Sequence, residues 1–313
     1  MIEWLFDGLL AIGLLWLGWR TVVSAELFKA IVMFIVLGLF MALCWARLAA
    51  PDVALAEAAI GAGLIGALLL DAYRALVAER WQADDRNAKP LVAASLAILS
   101  SVLIGGLAWA LLFSPEPVVD LNAQARARLA DSGVGNPVTA VLLNFRGYDT
   151  LLEVGVLFLA WLGLWTVGEQ ESNSAATGAW VEDSDLLTAL VRLLAPLGVL
   201  IGVYLLWAGA NEPGGAFQAG TVLAAVGVLL RLSGRLRPEL SPDLWVRFGV
   251  TVGLLVFSAI AVGVIPVGGN LLEYPGDWAG LLIVVIETSL MVSIALILTL
   301  LFIGSAGLRR GGS

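Results

Sequence analysis

The acidic side chains that are best suited to do chemistry in this 313-residue chain lie inside long apolar runs or directly before one. Asp52, Glu57 and Asp71 share one run, and Glu153 and Glu287 each stand in another. An ionisable side chain in the hydrocarbon core of a bilayer costs about 2.5 kcal/mol or more unless it is neutralised, paired or hydrated. Such residues are therefore functional candidates, and the chemistry they offer is the binding of protons or cations.

Glu57 is the strongest of these candidates. Pro51 is typical of the first turn of a helix, and Asp52 there complements the positive end of the helix dipole. Glu57 then lies about 7.5 Å deeper along the helix axis, and Gly61 and Gly63 allow close helix packing or a local break in helical regularity. The alternative interpretation is a helix cap followed by a packing face, in which Glu57 only bonds to a neighbour.

A second polar motif runs from Asn144 to Glu153, with the sequence NFRGYDTLLE. Asp149 or Thr150 is a suitable cap for the helix that follows. Glu153 lies one turn inside that helix, where it either serves a proton path or reaches back to the helix start in a capping box.

A third motif joins two apolar runs through a Pro-Gly-Gly turn. Its key residues are Asn211, Pro213, Gly214, Gly215 and Phe217. Consecutive backbone amides in such a turn can hold an ion or the end of a partner helix. A plain turn between two antiparallel helices is the simpler interpretation.

Composition excludes several other kinds of chemistry. Hydrophobic residues make up 60% of the chain and charged residues 13%, against about 45–50% and 25% in soluble proteins. There is no histidine and only one cysteine, Cys44, so disulfides, iron–sulfur clusters and most zinc sites are excluded. No phosphate-binding glycine pattern is present, and the net charge of −8 argues against nucleic acid as a partner. We expect no enzyme activity, no cofactor and no metal site.

The elements that position these residues are transmembrane helices. With about 20 residues per span as the ruler, the sequence predicts an all-α integral membrane protein with about nine spans: Leu5–Val22, Leu27–Ala46, Val53–Tyr73, Leu91–Phe113, Thr150–Val167, Leu187–Trp207, Phe217–Leu232, Phe248–Val267 and Gly280–Ile303. If the N-terminus is outside, thirteen of the 17 basic residues fall in the cytoplasm, as the positive-inside rule requires. The C-terminus is then cytoplasmic, and the chain is a multi-pass protein of the inner (plasma) membrane.

The loops divide the chain into units. Residues 1–113 contain four spans, and residues 114–168 contain an external segment and one span. Residues 169–185 form a polar linker, and residues 186–313 contain the last four spans.

These motifs resemble parts of one group of membrane complexes. The stretch from Pro51 to Gly63 resembles the signature of the MbhD-type domain, which also occurs in the C-terminal part of MrpA, with Ala56 in place of the usual Thr. The NFRGYDTLLE stretch is similar to the MbhE-like region that follows it. Residues 186–313 resemble the MnhB/MrpB subunit through the turn motif, although Ala210 replaces the usual His and Ala216 replaces a Gly.

The resemblance implies a membrane subunit of a Mrp-type multisubunit cation (Na⁺)/proton antiporter. Its partners would be separate antiporter-like subunits of a Mrp-like or complex-I-like assembly, the lipid bilayer, protons and Na⁺. Carried over to this chain, Glu57 is the proton-path carboxylate, and Pro213 and Phe217 shape the turn. Because Glu153 and Glu287 fall at a similar depth in their spans, we expect them to assist Glu57. Two alternatives stay open: the membrane arm of a redox-driven complex such as a hydrogenase, and a scaffold that conducts no ions.

Overall fold

The computed structural model describes residues 2–78, 90–114, 119–170, 185–236 and 243–307. Most of the linker at residues 169–185 lies outside this set. Within the described residues the chain is entirely helical, with eight helices long and apolar enough to cross a membrane. The expectation of an all-α integral membrane protein is confirmed. The ninth expected span is a shorter apolar helix of 17 residues.

The first unit begins with an antiparallel pair, α1 (Ile2–Val23) and α2 (Leu27–Arg47). A continuous but irregular helix follows, composed of α3 (Pro51–Ala56), a π-helical stretch (Glu57–Leu64, the first π segment) and α4 (Ile65–Ala78). The helix α5 (Pro90–Phe113) completes the unit.

The middle of the chain builds a short cap and one long helix. The cap comprises α6 (Leu121–Ala127), a 3₁₀ turn (Leu129–Ser132), α7 (Pro137–Ala140) and a second π segment (Val141–Phe145). The long helix is α8 (Gly147–Gln170).

The last unit is the bundle α9 (Asp185–Ala208), α10 (Ala216–Leu232), α11 (Leu244–Gly263), the short α12 (Ile265–Gly268) and α13 (Ala279–Gly307). The centre of the bundle is α13, which packs against α8, α10 and α11. Its residues Ile283, Ile286, Leu290, Ile294 and Ile297 are fully buried at three- and four-residue spacing, the pattern of one helix face.

Small residues allow the first unit to pack closely. Gly38 of α2 is buried, and a Cβ there would lie only 3.2 Å from Ala62 in the first π segment. Leu64 of the same segment packs against the core of the last unit. The first π segment therefore lies between α2 and the last bundle.

Candidate functional site

The turn between α9 and α10 lies at the meeting point of all three units. Its backbone folds back on the end of α9, because the amides of Gly209 and Gly215 both donate to the carbonyl of Leu205, at 3.1 and 2.9 Å. Gly215 precedes α10 with φ +116°, a conformation that residues with a side chain rarely adopt. The sequence therefore needs glycine at this point for backbone geometry alone.

Because α10 begins at this turn, its N-terminus lies inside the bundle rather than at its end. The turn residue Gly215 lies beside Glu287, eight residues into α13, or about 12 Å along that helix. This depth explains why α10 has only 17 residues.

Asp52 reaches the turn from the first unit. Its Oδ1 accepts a hydrogen bond from the amide of Gly214 at 2.9 Å, and its backbone carbonyl accepts one from Nε2 of Gln218 at 3.2 Å. Asp52 lies in the first turn of α3 and is buried, with 7% of its surface exposed. Asp52 therefore connects the two units, a role that the sequence did not indicate.

Glu287 reaches the same turn from the opposite side. It is 4% exposed, and its carboxylate accepts a hydrogen bond from the amide of Ala216. Two carboxyl groups from distant parts of the chain thus bond to amides two residues apart at the start of α10. The free amides and the positive dipole of a helix N-terminus favour this arrangement.

The cap covers the turn from a third direction. Nδ2 of Asn136 donates to the carbonyl of Glu212 at 2.9 Å, and Oγ1 of Thr139 donates to the carbonyl of Gly209 at 2.6 Å. The backbone amides of Gly135 and Asn136 both donate to the carbonyl oxygen of Ala210, at 2.8 and 3.0 Å. Sequence reasoning missed these residues, since Asn136 before Pro137 is also an ordinary helix cap and does bond to the amide of Val138.

The other turn residues are less buried. Asn211 is exposed, while Pro213 and Phe217 are half-buried. Oδ1 of Asn211 lies close to Gly135 of the cap. The bulk of the turn motif therefore serves to fold the turn and to seat the cap on it.

Glu57 begins the first π segment and is half-buried. Its side chain runs along its own helix over Gly61, where an added Cβ would lie 2.9 Å from Cδ of Glu57. The glycine thus leaves room for the carboxyl group. The expected local break in helical regularity is present at this acid, and π-helical stretches occur frequently at functional sites.

Glu153 lies beside a cavity of about 650 Å³ between the units. Its wall includes Ile60 of the first π segment and Phe217 of α10, and the ion pair of Arg146 with Asp149 stands at its edge. Glu153 itself is exposed. The expectation that Asp149 or Thr150 caps its helix is wrong, because α8 already begins at Gly147; the hydroxyl of Thr150 instead donates to the carbonyl of Leu142 in the second π segment. Glu57 and Glu287 are not among the lining residues of this cavity.

Asp71 does not join the site. It is half-buried in α4, 14 residues beyond Glu57, or about 20 Å along the helix. The structure therefore brings Asp52 and Glu287 to one turn, places Glu57 and Glu153 on elements next to it, and leaves Asp71 at a different depth. Among the described residues, no group of three or more acidic, histidine or cysteine side chains is arranged to hold a metal ion.

The architecture and its buried acids define a multi-pass membrane protein built around an intramembrane polar site. Comparison with family models narrows this class. Residues 12–77 match the MbhD family of MBH subunits, and residues 186–306 match a domain related to the MnhB subunit of Na⁺/H⁺ antiporters. The chain therefore contains an MbhD region and an MnhB-related region, and its resemblance to subunits of Mrp-type antiporters is confirmed.

Individual relatives agree with this assignment. A probable K(+)/H(+) antiporter protein of Rhizobium meliloti, of the combined A/B type, is 23% identical over 268 residues, which cover 72% of this chain and 26% of the relative. An uncharacterized protein of Methanocaldococcus jannaschii is 28% identical over 112 residues, which cover 31% of this chain and 43% of that protein. The chain thus spans less than half the length of these relatives.

A solved structure shows the same fold. A chain in the structure of the Mrp complex from Dietzia sp. superposes with a TM-score of 0.77 at 22% sequence identity. The match covers 97% of this chain and 35% of that one, so nearly all of the helices described above have counterparts in it.

Proposed function

We propose that this chain is a membrane subunit of a multisubunit monovalent cation (Na⁺)/proton antiporter in the plasma membrane, and that it acts in transport rather than as an enzyme. The observation that carries the proposal is the joint between the two family regions. The MbhD region and the MnhB-related region meet through Asp52 and the amide of Gly214 at a buried turn that also holds Glu287. A membrane protein retains buried acids at such depth when they serve a path for ions or protons.

Glu57 is the proposed proton carrier of the MbhD region. It lies five residues beyond Asp52, in a π-helical stretch that packs against α2 and borders the last bundle. π-helical stretches are rare and occur frequently at functional sites, which supports a functional role for the carboxyl group at this position. Glu153 lies on α8 beside the cavity that Ile60 also lines, and it is the proposed second group of the path.

Separate antiporter-like subunits are the proposed partners of this chain. The Rhizobium meliloti relative is about four times longer than the part that matches, since the match covers 26% of it. The division of the chain at residues 113, 168 and 185 into MbhD-like, MbhE-like, linker and MnhB-like parts belongs to the same proposal. The family match for the first part spans residues 12–77.

The test is exchange of Glu57 for Gln in the assembled complex, with sodium-dependent proton flux measured in inverted vesicles. Glutamine keeps the shape and the hydrogen-bonding capacity of the side chain but takes up no proton. We expect an assembled complex whose flux is reduced by about tenfold or more, a loss typical of removing a positioned proton-transfer group. Glu57→Asp, with a shorter reach, is expected to keep partial flux with a shifted pH profile.

Glu26→Gln is the matched control, because Glu26 is exposed between α1 and α2 and makes no side-chain cap bond. Normal flux in Glu57→Gln at all pH values would contradict the proton-path role and favour a scaffold. A complex that purifies with metal-cluster proteins and shows electron-driven flux would instead identify the membrane arm of a redox enzyme.

A further inference from the structure

Gln218 stands between the two acids that hold the turn. It lies in the first turn of α10, and its Nε2 donates to the backbone carbonyl of Asp52 at 3.2 Å. Its Oε1 lies near Gly215, the residue beside which the carboxyl group of Glu287 also lies. Oε1 of Gln218 and Oε1 of Glu287 lie 3.5 and 2.9 Å from the point where a Cβ on Gly215 would stand.

The orientation of this amide follows from its partners. Oxygen and nitrogen of a glutamine side chain are assigned from the hydrogen-bond network around them. The opposite orientation would place the amide oxygen against the carbonyl oxygen of Asp52, and both atoms are acceptors. The carbonyl of Asp52 therefore directs the oxygen of Gln218 away from itself and leaves it near Gly215, beside Glu287.

An ionised Glu287 would leave two acceptor oxygens, its own and Oε1 of Gln218, close to the same buried glycine, Gly215. A carboxylate has no hydrogen to donate, whereas a carboxylic acid donates one through its hydroxyl group. The amide of Ala216 supplies one donor to Glu287, but within the described residues no ion pair reaches this side chain. A buried charge without a counter-ion is strongly unfavourable.

The positive end of the α10 dipole favours a negative charge at this turn, but the charged side chains on the surrounding elements do not. Asp52 bonds to the neighbouring amide of Gly214 and carries the same sign as Glu287. Glu212 is exposed on the turn. Arg146 at the start of α8 is paired with Asp149 at the cavity edge. A negative neighbour at the turn further disfavours a second negative charge there.

We propose that Glu287 is held as a neutral carboxylic acid whose hydroxyl donates to Oε1 of Gln218, and that this pair is the proton-holding site of the MnhB-related region. Gln218 is the positioning residue of the pair, since the Asp52 carbonyl fixes its orientation. The inference rests on the proposed function and deepens it by assigning a proton site to the second family region, and it introduces Gln218 as a residue of that site.

Infrared difference spectroscopy of the purified complex in lipid tests this assignment. A protonated carboxylic acid has a C=O stretching band that a carboxylate lacks, and a hydrogen bond from its hydroxyl group lowers the frequency of that band. We expect the wild-type complex at neutral pH to show such a band, and Glu287→Gln to lose it. Gln218→Met, which keeps the length of the side chain but removes the acceptor, is expected to shift the band upward without loss of intensity.

Glu273→Gln is the control, because Glu273 is exposed in the loop before α13 and its removal should leave the band unchanged. Identical spectra of the wild type and Glu287→Gln would overturn the proposal, as would an unshifted band in Gln218→Met. An ionised Glu287 that holds a sodium ion would show no band and would give the first of these results. If Glu287→Gln fails to assemble, the Gln218→Met spectrum alone decides between the outcomes.

The spectrum reports the protonation of Glu287 whether or not the complex exchanges ions. A complex with the expected bands but without coupled flux would therefore contradict the proposed function and support this inference. A complex with normal flux but without the bands would support the proposed function and contradict this inference.

Discussion

Asp52 and Gly214 are joined by a hydrogen bond of 2.9 Å across 162 positions of the sequence. The bond connects the start of the irregular helix in the MbhD region to the turn before α10 in the MnhB-related region. It holds the start of the helix that carries Glu57 against the turn beside which Gln218 and Glu287 lie. The alignment of the two regions therefore depends on this bond together with the bond from Gln218 to the Asp52 carbonyl and the packing of Leu64.

Removing this carboxylate is expected to loosen the joint between the regions. Asp52→Ala leaves the amide of Gly214 buried without a partner, and an unmet buried donor costs about 1–3 kcal/mol. We expect a lower unfolding temperature of the purified chain, measured by fluorescence in detergent. Asp243→Ala is the control, since Asp243 is exposed and makes no side-chain cap bond. Equal unfolding temperatures of the two variants would refute the structural role of Asp52.

A side chain at Gly215 should disturb the site in two ways. Its φ of +116° is unfavourable for alanine, at a cost of order 1–3 kcal/mol, and the added Cβ would lie 2.9 Å from Oε1 of Glu287. Gly215→Ala is therefore expected to reduce the yield of assembled complex, measured by co-purification. Gly105→Ala in α5 is the matched control, because nothing lies within 4 Å of its added Cβ. Comparable yields of both variants would show that the turn tolerates the side chain.

The cap is expected to depend on Thr139. Thr139→Val keeps the shape of the side chain but leaves the buried carbonyl of Gly209 without its hydrogen bond of 2.6 Å. The loss should cost about 1 kcal/mol or more and should speed proteolysis of the cap in intact vesicles. Thr166→Val is the control, since the Thr166 hydroxyl bonds within its own helix at an exposed position. Cleavage of both variants at the wild-type rate would count against the seating of the cap on the turn.

Tyr274, in the loop before α13, offers a pH-dependent test. Its hydroxyl is buried without a hydrogen-bond partner among the described residues, and burial raises the pKa of this phenol well above its usual range. The folded chain therefore keeps a proton that the unfolded chain loses near pH 10, so stability falls as the pH rises beyond about 10. Tyr274→Phe removes this group and should weaken the loss of stability at high pH.

The measurement is the unfolding temperature of wild type and Tyr274→Phe between neutral and strongly alkaline pH. Tyr204→Phe is the control, since Tyr204 is 57% exposed on α9. At neutral pH, Tyr274→Phe is expected to be as stable as the wild type or slightly more so, because it removes an unsatisfied polar group. A marked loss of stability at neutral pH would mean that the hydroxyl has a partner.

The orientation of the chain in the membrane is a prediction from its basic residues. In a Cys44→Ser background, a cysteine at Asn122 of α6 should react with an impermeant reagent from the outside. One at Ser241, which lies outside the described residues, should react only from the cytoplasm. Both results follow from the excess of basic residues on the inner side. The opposite labelling pattern would invert the topology.

The helices were predictable from the sequence because the patterns that specify them are local, within about 20 residues of one another. A run such as Leu27–Arg47 specifies a transmembrane helix by its length and its apolar centre, with charges only near its ends. A helix forms because backbone groups in lipid have no water to bond and must bond to one another. The break beside Glu57 was also readable, since Gly61 and Gly63 weaken a regular helix locally.

The partners of the acids were not predictable, because they come from distant parts of the chain. The sequence alone determined that Asp52 begins a helix and that Gly214 and Gly215 form a turn. Only the tertiary structure decided that the carboxylate of Asp52 satisfies the amide of Gly214, and that Glu287 approaches from the far side. The physical reason is that a buried carboxyl group bonds to whichever donor the packing of other helices brings within about 3 Å. The spacing of residues along the sequence does not specify which donor that is.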